Sequence, residues 1–145
     1  MILFSSALEL TENIIITMNR LIVDAAKDKI FLVLMDDKNI YTCGYENSKI
    51  NFEKLIILIN EFLGNNKSSI DQIKVIYVNR GPGSFAGIRN SLAIIKALFL
   101  IKKIDYYCFS FLDFDKSRKA KYEDVPYLCD KFKIKKDLIN PIYLS

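Results

Sequence analysis

The residues with the clearest chemical character form a glycine-rich segment in the middle of the chain. This segment, residues 79–98, reads NRGPGSFAGIRNSLAIIKAL and joins a β-branched run to an apolar helical pattern. Gly81 and Gly83 allow backbone angles that other residues avoid, and Ser84 is placed to accept a hydrogen bond from a backbone N–H at the start of the helix. Because a helix N-terminus carries unpaired N–H groups and partial positive charge, this turn could hold an anion.

Two interpretations of this turn stay open on local physics. In the first, the chain is a small nucleotide- or anion-binding enzyme that uses the Gly81–Ser84 turn. In the second, the glycines only solve the steric problem of a tight connection from strand to helix. The spacing favours the second interpretation, because it matches neither the P-loop nor the dinucleotide-binding pattern.

The composition limits the chemistry that the chain can carry out. There is no histidine, and imidazole is the usual general base and the commonest metal ligand. Composition therefore argues against Ser-His-Asp, Cys-His and histidine-metal sites. The three cysteines, Cys43, Cys108 and Cys129, are widely spaced and odd in number, which indicates neither a disulfide framework nor a Cys-x-x-Cys metal site. We expect reduced, mostly buried thiols, with no metal and no cofactor.

Length predicts a single domain, and the opening stretch leads us to expect a cytoplasmic protein. The 145 residues are 51% hydrophobic, enough for one core. The net charge of +4 is too small to predict a dedicated nucleic-acid surface. Glu9 and Glu12 interrupt the apolar opening stretch, which lacks a basic start, so we expect neither a signal peptide nor a membrane anchor. If translation starts at Met18, residues 1–17 are an N-terminal extension that is not translated.

Hydrophobic periodicity predicts an α/β domain. The predicted elements are, in chain order, strands over 20–26, 29–36 and 39–45, a helix over 51–63, a strand over 73–79, a helix over 85–102 and a strand over 104–110. This order requires a mixed five-stranded sheet with right-handed crossovers. Since the strands are apolar on both sides, we expect helices on both faces. The predicted lobe covers residues 18–114.

Three segments resemble the TsaB family, which is also called YeaZ. GPGSFAGIR, residues 81–89, resembles the family signature GPGSFTGLR. LIVDAA, residues 21–26, is similar to the family's first strand, LAIDTS, with Asp24 in the matching place, and NPIYL, residues 140–144, is similar to its P-x-YL ending. The resemblance covers about residues 20–112, and it implies one lobe of the actin-like ATPase type, with a ribonuclease H-like fold.

The chain also departs from the family pattern. Members commonly carry a second lobe, whereas only about thirty residues follow Phe114 here. Residues 115–145 are therefore expected to be a short basic tail or a remnant of that lobe. After Asp24 the chain reads AAKDK where active relatives place small hydroxyl or glycine residues around phosphate, and Ala86 stands where threonine is usual. The resemblance therefore implies a chain that does not hydrolyse ATP.

The family resemblance implies a supporting role. TsaB proteins pair with the catalytic subunit TsaD, which binds metal through histidines and transfers a threonylcarbamoyl group onto adenosine 37 of tRNA. We therefore expect a non-catalytic scaffold in a heterodimer with a TsaD-like subunit. A homodimer is the alternative when the chain is alone, a TsaE-like ATPase is a further candidate member, and tRNA is contacted only indirectly. No catalytic residue is expected. The signature-turn residues are Gly81, Pro82, Gly83, Ser84, Phe85, Gly87 and Arg89.

The two predicted helices carry more apolar residues than contact with one sheet requires. Such a surplus is typical of a subunit interface, and the family pairs through these two helices. The alternative is that the tail folds over the surplus and buries it. The residues predicted to contact the partner are Ile57, Leu58, Ile88, Leu92, Ile95 and Leu98.

Overall fold

The computed structural model describes residues 19–115 and 119–143, and the predicted extension over residues 1–17 lies outside this range. The strands are β1 (Asn19–Asp24), β2 (Lys29–Met35), β3 (Ile40–Glu46), β4 (Ile73–Asn79) and β5 (Asp105–Phe109). The helices are α1 (Lys49–Glu53), α2 (Leu55–Asn65), α3 (Phe85–Lys102) and α4 (Val125–Lys131). Single turns of 3-10 helix lie at Ile70–Gln72, Phe111–Asp113 and Tyr122–Asp124.

The five strands form one mixed sheet in the order β3-β2-β1-β4-β5. β1, β2 and β3 form an antiparallel meander, while β4 is parallel to both β1 and β5. Parallel neighbours need a crossover connection, which α1 with α2 provides before β4 and which α3 provides before β5. The predicted mixed five-stranded sheet is confirmed.

The helices α1, α2 and α3 cover the first face of the sheet. The predicted helix over residues 51–63 is in fact two helices, because α1 ends at Glu53 and α2 begins at Leu55. α1 begins at Lys49, two residues before the predicted start. Ser48 caps it, because the Ser48 side chain accepts a hydrogen bond from the Asn51 N–H at 3.2 Å. On the two sides of Lys54, Phe52 and Leu55 both pack in the core on the first face.

The tail covers the second face of the sheet. Val125 and Cys129 lie one helical turn apart on α4, and they are 0% and 2% exposed. They pack with Phe114 against apolar side chains from the strands, among them Ile22 and Phe109. Helices therefore lie on both faces, as predicted, and the helix on the second face comes from the tail. With seven residues, α4 is too short to give a sustained periodic pattern.

The two edges of the sheet differ. At the β5 edge, the Tyr106 N–H donates to the Asp137 carboxylate at 2.9 Å and the Asp137 N–H donates to the Tyr106 carbonyl at 2.8 Å. Lys136 forms an antiparallel bridge with Tyr107 beside them. At the β3 edge, no strand within residues 19–115 and 119–143 pairs with the outer side of β3.

No helix within the described ranges is long and apolar enough to cross a bilayer.

Candidate functional site

The candidate site lies where the parallel strands β1 and β4 reach their carboxyl ends, the edge at which α/β sheets commonly bind ligands. Asp24 ends β1 and Asn79 ends β4, and these side chains are 0% and 4% exposed. The Asp24 carboxylate accepts a hydrogen bond from the Ala26 N–H at 3.0 Å, and the Asn79 side-chain oxygen accepts one from the Gly81 N–H at 2.8 Å. Each side chain therefore shapes the loop that follows its own strand.

The signature turn after β4 has the predicted helix cap. The Ser84 hydroxyl oxygen accepts a hydrogen bond from the Gly87 N–H at 3.2 Å, and the Ser84 N–H donates to the Ala26 carbonyl at 2.9 Å. Gly81 has a φ of 107°, a backbone angle that disfavours any residue with a side chain. The turn thus joins β4 to α3 and at the same time binds the loop after β1.

Two other glycines of the signature allow close backbone contact. A Cβ added at Gly83 would overlap the Ala26 carbonyl oxygen, and a Cβ added at Gly87 would overlap the Ala25 carbonyl oxygen. The start of α3 therefore lies directly on the loop between β1 and β2. This packing supports the interpretation in which the glycines solve a steric problem.

A tyrosine from the tail closes the site over Asp24. The Tyr122 hydroxyl donates to the Asp24 carboxylate at 2.6 Å, and the Lys27 ammonium lies 3.8 Å from the same carboxylate oxygen. Burial raises the pKa of Tyr122 well above its ordinary value, and the negative charge of Asp24 raises it further. The hydroxyl therefore stays protonated and remains a hydrogen-bond donor.

Aromatic rings hold Tyr122 in this position. The Phe31 and Phe111 rings each lie 5.9 Å from the Tyr122 ring, centroid to centroid. The Lys27 ammonium lies 4.7 Å from the centroid of Phe111 and 5.1 Å from that of Tyr122, distances at which a cation is attracted to a ring face. The space above Asp24 is therefore filled by the chain itself.

Arg80, next to the signature turn, binds one residue just before the tail and one near its end. Its guanidinium donates to the Asp113 carboxylate at 2.6 and 3.3 Å and to the Asn140 carbonyl at 3.1 Å. The Ile142 N–H donates to the Arg80 carbonyl at 2.7 Å. Because the Arg80 and Asp113 side chains are only 14% and 17% exposed, this two-pronged ion pair is partly shielded from solvent. Residues 140–143 thus lie against the signature turn.

The signature residues divide into an inner and an outer set. Gly81 and Gly87 are buried, whereas Pro82, Phe85 and Arg89 are exposed. The Arg89 guanidinium lies 5.5 Å from the centroid of the Phe85 ring. The Phe85 ring lies 4.7 Å from the ring of Tyr143. The inner set shapes the fold, and the outer set lies at the surface.

The predicted partner contacts need a correction. Ile57 is 60% exposed, but the other five predicted residues are 0 to 9% exposed, namely Leu58, Ile88, Leu92, Ile95 and Leu98. Four of these five, Ile88, Leu92, Ile95 and Leu98, belong to the stripe of α3 that packs on the first face of the sheet. A helix buries its most continuous apolar stripe against the sheet, so these side chains are not available to a partner.

Sequence reasoning singled out Asp24 but missed Tyr122 and the Arg80–Asp113 ion pair. Tyr122 lies 98 residues from Asp24 in the sequence. No local spacing predicts a contact of that range. The available signal in the sequence was the position of Arg80 between a buried strand and the glycines. A charged side chain near a buried strand needs a partner of opposite charge.

The buried thiols predict a loss of stability at alkaline pH. Burial raises the pKa of Cys108 to about 11 and that of Cys129 to about 12, from 9.0. This stabilising contribution is present below pH 9 and is lost as the pH rises through the folded-state values, because thiols of the unfolded chain ionise first. At about pH 10, ionisation of each thiol in the unfolded chain should lower the free energy of unfolding by roughly 1 kcal/mol.

Urea unfolding measured at two pH values checks this expectation. The free energy of unfolding should fall less between about pH 8 and 10 in a Cys108→Ala variant than in the unmodified chain, since one titrating thiol is gone. An identical fall in both proteins would contradict it.

The fold is that of one lobe of the actin-like ATPase type, with a ribonuclease H-like mixed sheet. Among solved structures, YeaZ from Pseudomonas aeruginosa is similar, with a TM-score of 0.59 and 16% identity over 64% of this chain and 44% of that one. No protein-family model matches the chain.

Two curated sequences match part of this chain, and both are named tRNA threonylcarbamoyladenosine biosynthesis protein TsaB. That of Buchnera aphidicola subsp. Baizongia pistaciae is 31% identical over 81 residues, which cover 47% of this chain and 37% of the relative. That of subsp. Schizaphis graminum is 29% identical over 92 residues, which cover 63% and 44%. The predicted resemblance to the TsaB family is confirmed. The chain spans less than half the length of the curated relatives that it matches.

Proposed function

We propose that this chain is a non-catalytic scaffold subunit that supports a TsaD-type enzyme in the threonylcarbamoylation of adenosine 37 of tRNA. The relatives' name supports the pathway. The proposed assembly is a heterodimer with a TsaD-like catalytic subunit. A TsaE-like ATPase is its further proposed member, and tRNA is contacted only indirectly. Residues 115–145 are proposed to be a remnant of the second lobe.

The observation that carries this proposal is the exposed outer side of α3. Phe85, Leu100 and Ile101 are 56%, 58% and 75% exposed, although all three are apolar. Between them, Ala93 and Ala97 are also exposed, and their small side chains would let a partner helix approach closely. The exposed Arg89 and Lys96 lie on the same side, and the rest of this side of the 18-residue helix, about 27 Å long, is largely apolar. So many exposed apolar residues are uncommon on a surface that contacts only water.

The neighbouring helices carry exposed apolar residues of their own. Ile50 on α1 and Ile57 on α2 are 62% and 60% exposed. We call these exposed residues together the partner face. Its members are Ile50, Ile57, Phe85, Ala93, Ala97, Leu100 and Ile101. The partner face keeps the two helices of the predicted interface and replaces its five buried residues with residues on the outer side.

The closure of the strand-end site supports a role without catalysis. Both Asp24 oxygens already have partners in Tyr122 and Ala26. The Ser84 hydroxyl oxygen caps its own helix. The alternative is an enzyme that binds a nucleotide or another anion at the Gly81–Ser84 turn. It would need the Asp24 carboxylate and the Ser84 hydroxyl, which these contacts occupy. Calorimetric titration with ATP decides between the two, and heat of binding would favour the alternative.

Replacing Ala93 or Ala97 with glutamate is expected to abolish co-purification with a TsaD-type partner. In the free chain the new carboxylate stays hydrated, so the fold should survive, whereas at the interface it would be desolvated without a partner. The loss should weaken binding about a hundredfold or more. Co-purification and calorimetric titration measure it, and circular dichroism checks the fold.

Tyr127→Glu is the matched control, because Tyr127 is 64% exposed on α4, which covers the second face. It should leave binding unchanged. Normal binding by both alanine variants, or equal weakening by the control, would reject the partner face.

A further inference from the structure

The open edge of the sheet lies at β3. The β5 edge is capped by residues 136 and 137, as described above. Within the described ranges, no strand pairs with the outer side of β3 and takes up the backbone N–H and C=O groups on that side.

The β3 strand lacks the features with which proteins usually protect an edge. It reads IYTCGYE, so it has no proline and no charge before Glu46. Its register with β2 continues from residue 40 to residue 46 without a bulge. Ile40 at its start is 46% exposed. An edge that is regular, uncharged and partly apolar is a template for pairing with another strand.

The sequence of β3 is complementary to itself in one antiparallel register. Cys43 is the midpoint of Ile40–Glu46. When two copies pair about this midpoint, Tyr41 of each lies opposite Tyr45 of the other, on the same side as Cys43. These are cross-strand aromatic pairs, which stabilise sheets. Ile40 lies opposite Glu46, so the register brings no like charges together.

We propose that the outer edge of β3 is a self-association site, at which a second copy of the chain pairs antiparallel with Cys43 opposite Cys43. The result is one continuous sheet through two copies, related by a two-fold axis. The site lies on the backbone edge of the sheet and is separate from the partner face.

The native Cys43 thiol reports on this register directly. Directly opposed residues in antiparallel strands have Cα atoms about 4.5 to 5.5 Å apart, which is within disulfide range. Cys43 is half-buried, while Cys108 and Cys129 are buried. Mild oxidation should therefore cross-link the full chain into a dimer through Cys43, and Cys43→Ala should prevent cross-linking without changing self-association measured by analytical ultracentrifugation.

A pair of charge variants at Ile40 tests the register. Ile40→Glu would place a carboxylate opposite Glu46 of the second copy, whereas Ile40→Lys would place an ammonium there. Because the contact occurs twice in the symmetric pair, the dimer dissociation constants of the two variants should differ by at least about tenfold, with Ile40→Glu the weaker. Ala97→Glu, on the partner face, should leave the dimer intact.

Several results would overturn the proposal. A chain that stays monomeric at its highest soluble concentration would do so. A dimer that does not cross-link through Cys43 would show that the two Cys43 residues are not opposed. A dimer that tolerates both Ile40 variants but dissociates with Ala97→Glu would place self-association on the helices instead. Equal weakening by both Ile40 variants would show that the register is wrong. Binding to a TsaD-type partner is scored separately, so this inference and the proposed function can fail independently.

Discussion

Replacing Gly87 with alanine is expected to lower the free energy of unfolding by about 2 to 4 kcal/mol, a large part of the stability of a single domain. The new Cβ would overlap the Ala25 carbonyl oxygen and lie 3.1 Å from the Phe52 ring. The carbonyl belongs to a loop that the Asp24 side chain holds by its bond to the Ala26 N–H, so the clash cannot be relieved by rotating a side chain. Gly83→Ala should behave similarly, because its Cβ would overlap the Ala26 carbonyl oxygen.

Gly64→Ala is the matched control for this prediction. Gly64 lies in α2, and a Cβ added there would meet no atom within 4 Å. Alanine is favoured over glycine in a helix by about 1 kcal/mol, so this variant should be neutral or more stable. Urea unfolding followed by circular dichroism measures all three variants. If Gly87→Ala proves as stable as Gly64→Ala, the start of α3 does not lie on the β1–β2 loop as described.

Replacing Tyr122 with phenylalanine is expected to cost about 1.5 to 3 kcal/mol of stability, although it removes one oxygen atom only. The hydroxyl is a donor to the buried Asp24 carboxylate at 2.6 Å. Without it, the partner that remains to that carboxylate oxygen among the described residues is the Lys27 ammonium at 3.8 Å. Hydrogen bonds to charged groups are worth more than neutral ones, and a buried acceptor left unpaired adds its desolvation cost.

Tyr106→Phe makes the same chemical change where the opposite result is expected. Tyr106 is 0% exposed, and its hydroxyl has no hydrogen-bond partner in the part of the chain that the structure describes. Removing an unpaired buried hydroxyl should leave stability unchanged or raise it. Chemical denaturation of the two variants side by side checks both expectations. Equal destabilisation would mean that the Tyr122–Asp24 bond contributes nothing specific.

The bounds of an element were predicted best where residues in the sequence mark both its start and its end. The bounds predicted for β4 and α3 agree with the structure, because the β-branched run ends at the glycines and Ser84 starts the helix. The helix break at Lys54 has no glycine or proline to mark it.

For the partner helices, periodicity identified the apolar residues of α3, but five of the six residues predicted to contact a partner are buried in the folded chain. Leu92 and Ile95 face the sheet, whereas Ala93 and Ala97 on the outer side carry little hydrophobic signal. The closure of Asp24 by Tyr122 could not be predicted at all, because such a contact exists only once the tail has folded over the second face.

The position of the tail has a consequence for biosynthesis. Ile22, Val33 and Tyr77 lie on the face that the tail covers, and all three are translated long before α4. During translation, this apolar face stays exposed until α4 has been made. The contacts between residues furthest apart in the sequence therefore form last. A nascent chain that stalls before residue 111 would therefore display an uncovered hydrophobic sheet, which makes it a substrate for chaperones and proteases.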